Sequence, residues 1–361
     1  MPFLSLGLRA IVNVEALNMV ESVGNIVRRR KAAIVYKRGD EYVVRWVPAV
    51  SGESISHSYQ VFLARIAEQR GLPVCEYCKI GEFVKHADQK VFGSSQWESE
   101  LMKMLDTMSK MKDKEGKVDA KRLQELLHSV EKTIIENCVV EDVGGFLYAG
   151  KQPVKRTSRF ASSFMVAAMD AVEKAVIETQ FQVRHAPSAS QRWNQAQMPY
   201  NVETASAVYA WSFYLDAGGV GCTSMVRREC LPLEERIKRV KAAVDALALM
   251  LDSRIFGAKQ TRFNPIVGYE VALIAVSRPL PFNVSPPAIG VTFIEDTLKR
   301  AKSYREHVGG DVVLLAYVGP LASNRVVEAL NETEIQRYDT LLDALAEAKR
   351  LLVEWLRAET T

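Results

Sequence analysis

Residues 3–14 restrict the fold of this chain more than any other segment. Phe3, Leu4, Leu6, Leu8, Ile11 and Val12 first alternate and then run together. An apolar pattern of that kind suits a strand buried inside a sheet. The stretch is apolar enough to resemble a secretion signal. It lacks a basic leader, however, and Asn13, Glu15 and Asn18 interrupt it where a cleavage site belongs. It is read as the first strand of the fold.

The downstream elements can be placed against that strand. Two β-rich runs, Ala33–Tyr36 and Tyr42–Val47, flank Arg38-Gly39-Asp40, which signals a hairpin. A loop rich in cap residues then opens a helix over about 53–70 that stops at Gly71 before Pro73. Residues 97–112 and 119–136 pattern as a pair of helices, and 160–175 as another helical stretch. Strands are expected near 176–184 and 203–215, a helix at 233–252 and a strand at 269–276. The chain closes with a helix at 295–306, a strand at 311–318 and an acidic helix at 335–357. With insertions set aside, the order is strand, helix, strand, strand, helix, strand. That is the βαββαβ ferredoxin-like arrangement shared by RNA-recognition motifs, an α+β fold class. The expected organisation is a discontinuous core, 1–71 plus 176–285, with a mainly helical insertion at 72–175 and a C-terminal α/β extension at 286–361.

Charge enters through its placement. The net charge is only +4 over 361 residues, too little to announce a nucleic-acid partner. Four windows nevertheless contain no acid. Residues 22–39 carry Arg28, Arg29, Arg30, Lys31, Lys37 and Arg38, and residues 143–169 carry Lys151, Lys155, Arg156 and Arg159. Residues 179–202 carry Arg184, His185 and Arg192, and residues 253–269 carry Arg254, Lys259 and Arg262. Such windows fit phosphate-facing surface, or alternatively solvated loops. Hydrophobic residues at 48% supply a core, yet no apolar stretch reaches bilayer length, so the expectation is a soluble cytoplasmic chain without a membrane partner.

Three segments invite a chemical reading. In Ser51-Gly52-Glu53-Ser54-Ile55-Ser56-His57, a glycine beside hydroxyls at a helix start frees backbone N–H groups for an anion. A phosphate would meet Ser54, His57 and Gln60 on the opening turns, whereas plain N-capping by Ser51 is the competing account. The segment 184–201 is long for a hairpin connection. It offers Arg184, Arg192 and amide side chains, with Trp193 to stack on or wedge against a base. Asn13, Asn18 and Asn25 are either RNA-bonding amides or turn formers. Cys75-x-x-Cys78 has no second pair at zinc-finger spacing. His86 and another residue could complete a metal site, but buried thiols or one local disulfide are the preferred reading, with no metal and no cofactor. No His-Glu-x-x-His, Gly-x-Ser-x-Gly or Walker-type loop is present, and 184–201 lacks the carboxylate that metal-assisted RNA cleavage needs.

The segments NVEALNMVESVGNIVRRRK (13–31), WVPAVSGESISHSYQ (46–60), QFQVRHAPS (180–188) and MPYNVETASAVYAW (198–211) resemble the DevR-type RAMP subunit that forms the backbone of CRISPR Cascade. The likeness is to the archaeal type I-A form and covers about 3–280. It implies a non-catalytic protein coating the spacer of one guide RNA (crRNA) in several head-to-tail copies. Other Cascade subunits, a target DNA strand and a helicase-nuclease are the implied partners. It also implies that Ser51, Ser54 and His57 grip backbone phosphate and that the polar loop after strand 176–184 is a thumb reaching across the RNA. Asn13, Asn18 and Arg28 would then belong to the RNA-facing surface. The alternatives are a metal-dependent ribonuclease of the same superfamily and a transcription regulator.

Overall fold

The computed structural model describes residues 1–111, 119–185, 197–331 and 333–359. The first strand, β1 (Phe3–Glu15), is buried along most of its length. Leu4, Leu6, Leu8, Ala10 and Val12 join the main core, and Ser5, Gly7 and Arg9 face the opposite layer. Next come β2 (Met19–Val23), β3 (Ile26–Arg29), β4 (Lys31–Arg38) and β5 (Glu41–Val50). The β4–β5 hairpin turns at Arg38-Gly39-Asp40, where Gly39 supplies the left-handed φ of 62°.

Helix α1 (Gly52–Gln69) leads to α2 (Glu76–Lys79), α3 (Gln96–Lys110), α4 (Ala120–Asn137) and α5 (Val139–Gly144). The strands β6 (Phe146–Tyr148) and β7 (Val154–Arg156) pair with each other. After them come β8 (Phe160–Ser162), β9 (Met165–Ala167), β10 (Val176–His185) and β11 (Gln197–Leu215). The remainder is α6 (Leu233–Ser253), α7 (Gln260–Phe263), β12 (Ile266–Arg278), α8 (Thr292–Val308), β13 (Asp311–Val318), α9 (Asn324–Ala329), β14 (Gln336–Tyr338) and α10 (Leu341–Ala358).

The main sheet runs β14-β13-β12-β1-β11-β9-β5-β4, and β1 is antiparallel to both of its neighbours. Helices α1 and α6 pack on the Leu4/Leu6/Leu8 face, where the Tyr59 hydroxyl donates to Ala243 O (3.0 Å). The mixed α+β class expected from the sequence is what the chain adopts.

Two expectations need correction. Residues 160–175 do not form the expected helix: β8 and β9 are extended, Phe160, Met165 and Ala167 point inward, and only Val172–Lys174 makes a short 3-10 turn. Phe160 packs against Tyr59 and Phe213, and burying an aromatic of that size stabilises by roughly 1.5–3 kcal/mol, enough to override the helix preference of an Ala-rich stretch. Strand β10 also moves the expected start of its partner β11. It pairs only with the outer half of β11, from Val176 opposite Ser206 to His185 opposite Gln197, while β9 and β8 pair with the inner half. Consequently β11 begins at Gln197, ahead of the expected position 203, and part of the expected polar loop is strand.

The second face of β1 is closed by the segment 279–291. Val284 N–H donates to Ser5 Oγ (3.0 Å). Buried Arg9 bonds Glu270 (2.8 Å), Asp170 (3.1 Å) and Pro287 O (3.1 Å). The RNA-facing surface expected on the first strand is therefore covered there, and only the Asn13 end of β1 reaches toward solvent.

Candidate nucleic-acid interface

At its far end β1 shifts register between Val12 and Glu15, and Val14 takes a φ of 53°. The bulge turns Glu15 inward, where its buried carboxylate pairs with Arg29 and accepts from the Tyr209 hydroxyl. Burial holds the Tyr209 phenol well above its ordinary pKa, so it stays a neutral donor to Glu15. Arg29 also reaches Tyr209 Oη (3.3 Å), and its side chain is sealed from solvent. Arg29 is thus a core ion pair and not an RNA contact, which corrects the sequence reading. Its neighbours behave otherwise. Arg28 is exposed, 3.6 Å from Glu21. Half-buried Arg30 donates Nε–H to Asn18 Oδ1 (2.9 Å), which also accepts from Ser51 N–H (2.9 Å). Asn18 therefore fastens Arg30 to the start of α1.

At that start, Ser51 is buried and its Oγ accepts from Ser54 N–H (3.3 Å), an ordinary N-cap. Gln60 is buried too and donates back to Ser56 O (3.1 Å). Contrary to the sequence expectation, neither side chain is available to RNA. Ser54 is half-buried, and His57 is exposed with its ring edge-on to Phe83 at 5.1 Å. Gly52 is required here by crowding: a Cβ would sit 2.3 Å from Ser162 O.

Two further segments converge on the same region. Ala258 N–H donates to Leu17 O (2.6 Å) and Gly257 N–H to Ser58 Oγ (3.0 Å), so the loop holding Lys259 lies against α1 and the residue before Asn18. Asn13 pairs with Ile266 just beyond that loop. Exposed Arg262 donates to Tyr200 Oη (2.8 Å) on β11, where Tyr200 stands opposite Gln182 of β10. Asn201 N–H donates to Asn25 O (2.7 Å), tying the ribbon to the β2–β3 turn. Arg28, Arg30, Ser54, His57, Lys259 and Arg262 thus stand on a belt of segments linked to one another and to the β10–β11 ribbon by these contacts. Arg184 and His185 occupy the last positions of β10, opposite Met198 and Gln197. Arg192 and Trp193 lie outside the described residues.

Arg156 and Arg159 belong elsewhere. The Arg156 guanidinium donates to Asp142 O (2.7 Å), Cys222 O (2.6 Å), Gly219 O (3.2 Å), the Asp142 carboxylate and Glu131 (3.3 Å). Its five N–H groups meet five acceptors, and none is left for a phosphate. Burial pushes its pKa down, while Asp142 and Glu131 push it back up. Arg159 is committed to Asp216 (3.1 Å) and Cys222 O (3.4 Å). Both are therefore structural, and of the three cations at 155, 156 and 159 only Lys155, on β7, is exposed. Tyr200 was not singled out from sequence; its place beside Arg262 depends on ribbon pairing that only the fold shows.

The sequence has relatives among known proteins. The CRISPR-associated negative auto-regulator DevR/Csa2 family matches residues 6–298. CRISPR-associated protein Cas7/Csa2 1 of Saccharolobus solfataricus is 40% identical over 292 residues, covering 80% of this chain and 82% of its own. A second protein of that organism, CRISPR-associated aCascade subunit Cas7/Csa2 2, is 34% identical over 86% of this chain and 89% of its own. A Cas7/Cst2/DevR protein of Methanocaldococcus jannaschii is 26% identical over 84% and 89%. The chain belongs to the CRISPR-associated DevR/Csa2 family of Cas7 proteins.

Proposed function

We propose that this chain is a non-catalytic subunit that binds guide RNA by its backbone, coats the spacer in several copies and presents it to a target DNA strand. The carrying observation is the belt of Arg28, Arg30, Lys259 and Arg262 beside the first turns of α1. It clusters cations from two of the acid-free windows without any base-reading pocket among the described residues. Contacts of that kind tolerate any sequence, which a protein serving many spacers needs. The name of the second relative, an aCascade subunit, supports the same reading.

The strand order β12-β1-β11-β9, with α1 and α6 on one face, supports an RNA-recognition-type core. The helical insertion and the C-terminal extension would be built around that core. Self-assembly is supported by β4–β5, where Val35, Tyr42, Val44 and Trp46 are 54%, 79%, 63% and 67% exposed. An apolar stripe of that kind on an edge hairpin fits a neighbouring copy. Other Cascade subunits and a helicase-nuclease would complete the complex, in the cytoplasm. No helix among the described residues is long and apolar enough to cross a membrane. The lack of any carboxylate in 184–201 supports a non-cutting role.

Co-purification from the host, followed by sequencing of bound nucleic acid, tests the proposal. Guide RNA carrying many different spacers is the expected result; random RNA or none would oppose it. The family's description as an auto-regulator favours a second reading, DNA-binding regulation. Preferential binding to promoter duplex over single-stranded RNA would support that instead.

A further inference from the structure

The fold carries Cys138 and Glu141 to the Cys75-x-x-Cys78 pair, a meeting that spacing alone does not reveal. Cys75 caps the start of α2 and Cys78 lies within it. Cys138 joins α4 to α5, and Glu141 sits on the first turn of α5. All four are buried, and one ligand atom from each lies within 4.8 Å of the other three.

Cys75 Sγ is 3.7 Å from Cys138 Sγ and 3.6 Å from Glu141 Oε1. Two thiolates on one tetrahedral zinc, at Zn–S of about 2.3 Å, stand about 3.8 Å apart; a thiolate and a carboxylate oxygen stand about 3.6 Å apart. The thiol separation agrees with the observed one, and Oε1 at 3.6 Å places the Glu141 carboxylate, whose other oxygen is the one left to a cation, beside Cys75. A second observation is independent of spacing. Glu141 Oε2 is buried with no hydrogen-bond partner, although Oε1 meets His86 Nδ1 at 2.5 Å. A fully buried carboxylate oxygen left unpaired is costly unless a cation takes it. His86, the sequence's candidate for a ligand beside the cysteine pair, does not complete the set. It orients the carboxylate and is itself held by Glu98 (3.3 Å).

We infer that Cys75, Cys78, Cys138 and Glu141 form a site for a single zinc ion. Three thiolates exclude calcium or magnesium as the natural occupant, and the small span suits one ion. Four protein ligands in a buried setting leave no open coordination position, so the ion is structural and supplies no nuclease chemistry. It would pin α2 and the end of α1 to the α4–α5 junction, one residue before Asp142 and its arginine network.

The test uses the full chain, untagged, purified under reductant without chelator. Elemental analysis should give one zinc per chain, and cobalt substitution should give tetrahedral d–d bands with thiolate charge transfer. Cys78→Ser and Glu141→Gln should each lower zinc retention against a competing chelator, the cysteine change more. Should Cys78→Ser fail to fold, thiol titration of the native wild-type chain decides. Three thiols hidden until a chelator removes zinc support the site. A chain that takes up no zinc, that retains it equally in Glu141→Gln, or that carries a disulfide between any two of these cysteines overturns it.

Discussion

Replacing Arg156 by alanine separates structural from RNA-binding arginines, because sequence placed it on the RNA and the structure places it in the core. The substitution leaves Asp142 with buried Arg239 (3.0 Å) and Gly221 N–H (3.0 Å) alone, and removes the cation that pairs with buried Glu131 (3.3 Å). Breaking a buried ion pair from one side costs about 3–5 kcal/mol. A chain of 361 residues has an unfolding entropy of about 0.76 kcal/mol/K, from about 2.1 cal/mol/K per residue, so Tm should fall by about 4–7 °C. Scanning fluorimetry measures that shift. RNA titration below the lowered Tm should show an unchanged dependence of log K on log salt. An Arg156→Ala chain that melts like the wild type refutes the core role. A salt slope reduced by about 0.7, the loss expected of one phosphate contact on a single strand, refutes it equally.

Arg262→Ala should do the opposite: melting unchanged, and RNA affinity and salt slope both reduced, the slope by about 0.7; unchanged titrations would remove Arg262 from the belt. Trp46→Asp should leave monomer melting intact, since the side chain is mostly exposed, and should shorten assemblies formed on guide RNA in mass photometry. Full-length assemblies would show that β4–β5 is not the contact. The Cys222–Cys230 disulfide closes a loop across a separation of eight residues. Chain entropy for a loop that short gives about 2.5 kcal/mol. Cys230→Ala should lower stability by that amount in denaturant unfolding and abolish the effect of added reductant, which an absent disulfide would not do.

Where apolar rhythm was long, the sequence was legible: β13 falls on 311–318 as expected, and α6 and β12 within a few residues of 233–252 and 269–276. Short strands were not. β8 and β9 hold three residues each, too few for a period, and their partners on β11 lie about 40–55 positions away. The belt was partly legible, because acid-free windows do mark Arg28, Arg30, Lys259 and Arg262. The same signal misplaced Arg156, whose acceptors are brought from Asp142 and from Cys222, 66 residues on. An absence of nearby acids in sequence says nothing about acids arriving from other elements. The cysteines behave alike, for Cys138 stands 63 positions from Cys75.

The central claim is that this chain holds RNA by phosphate and not by base. Its most direct test is a titration of the wild-type chain with two single-stranded RNAs of equal length and unrelated sequence, repeated over a range of salt. Equal affinities are predicted, falling linearly on logarithmic axes with a slope of about 0.7 for each phosphate held. A marked preference between the two sequences, or affinity indifferent to salt, would contradict the account.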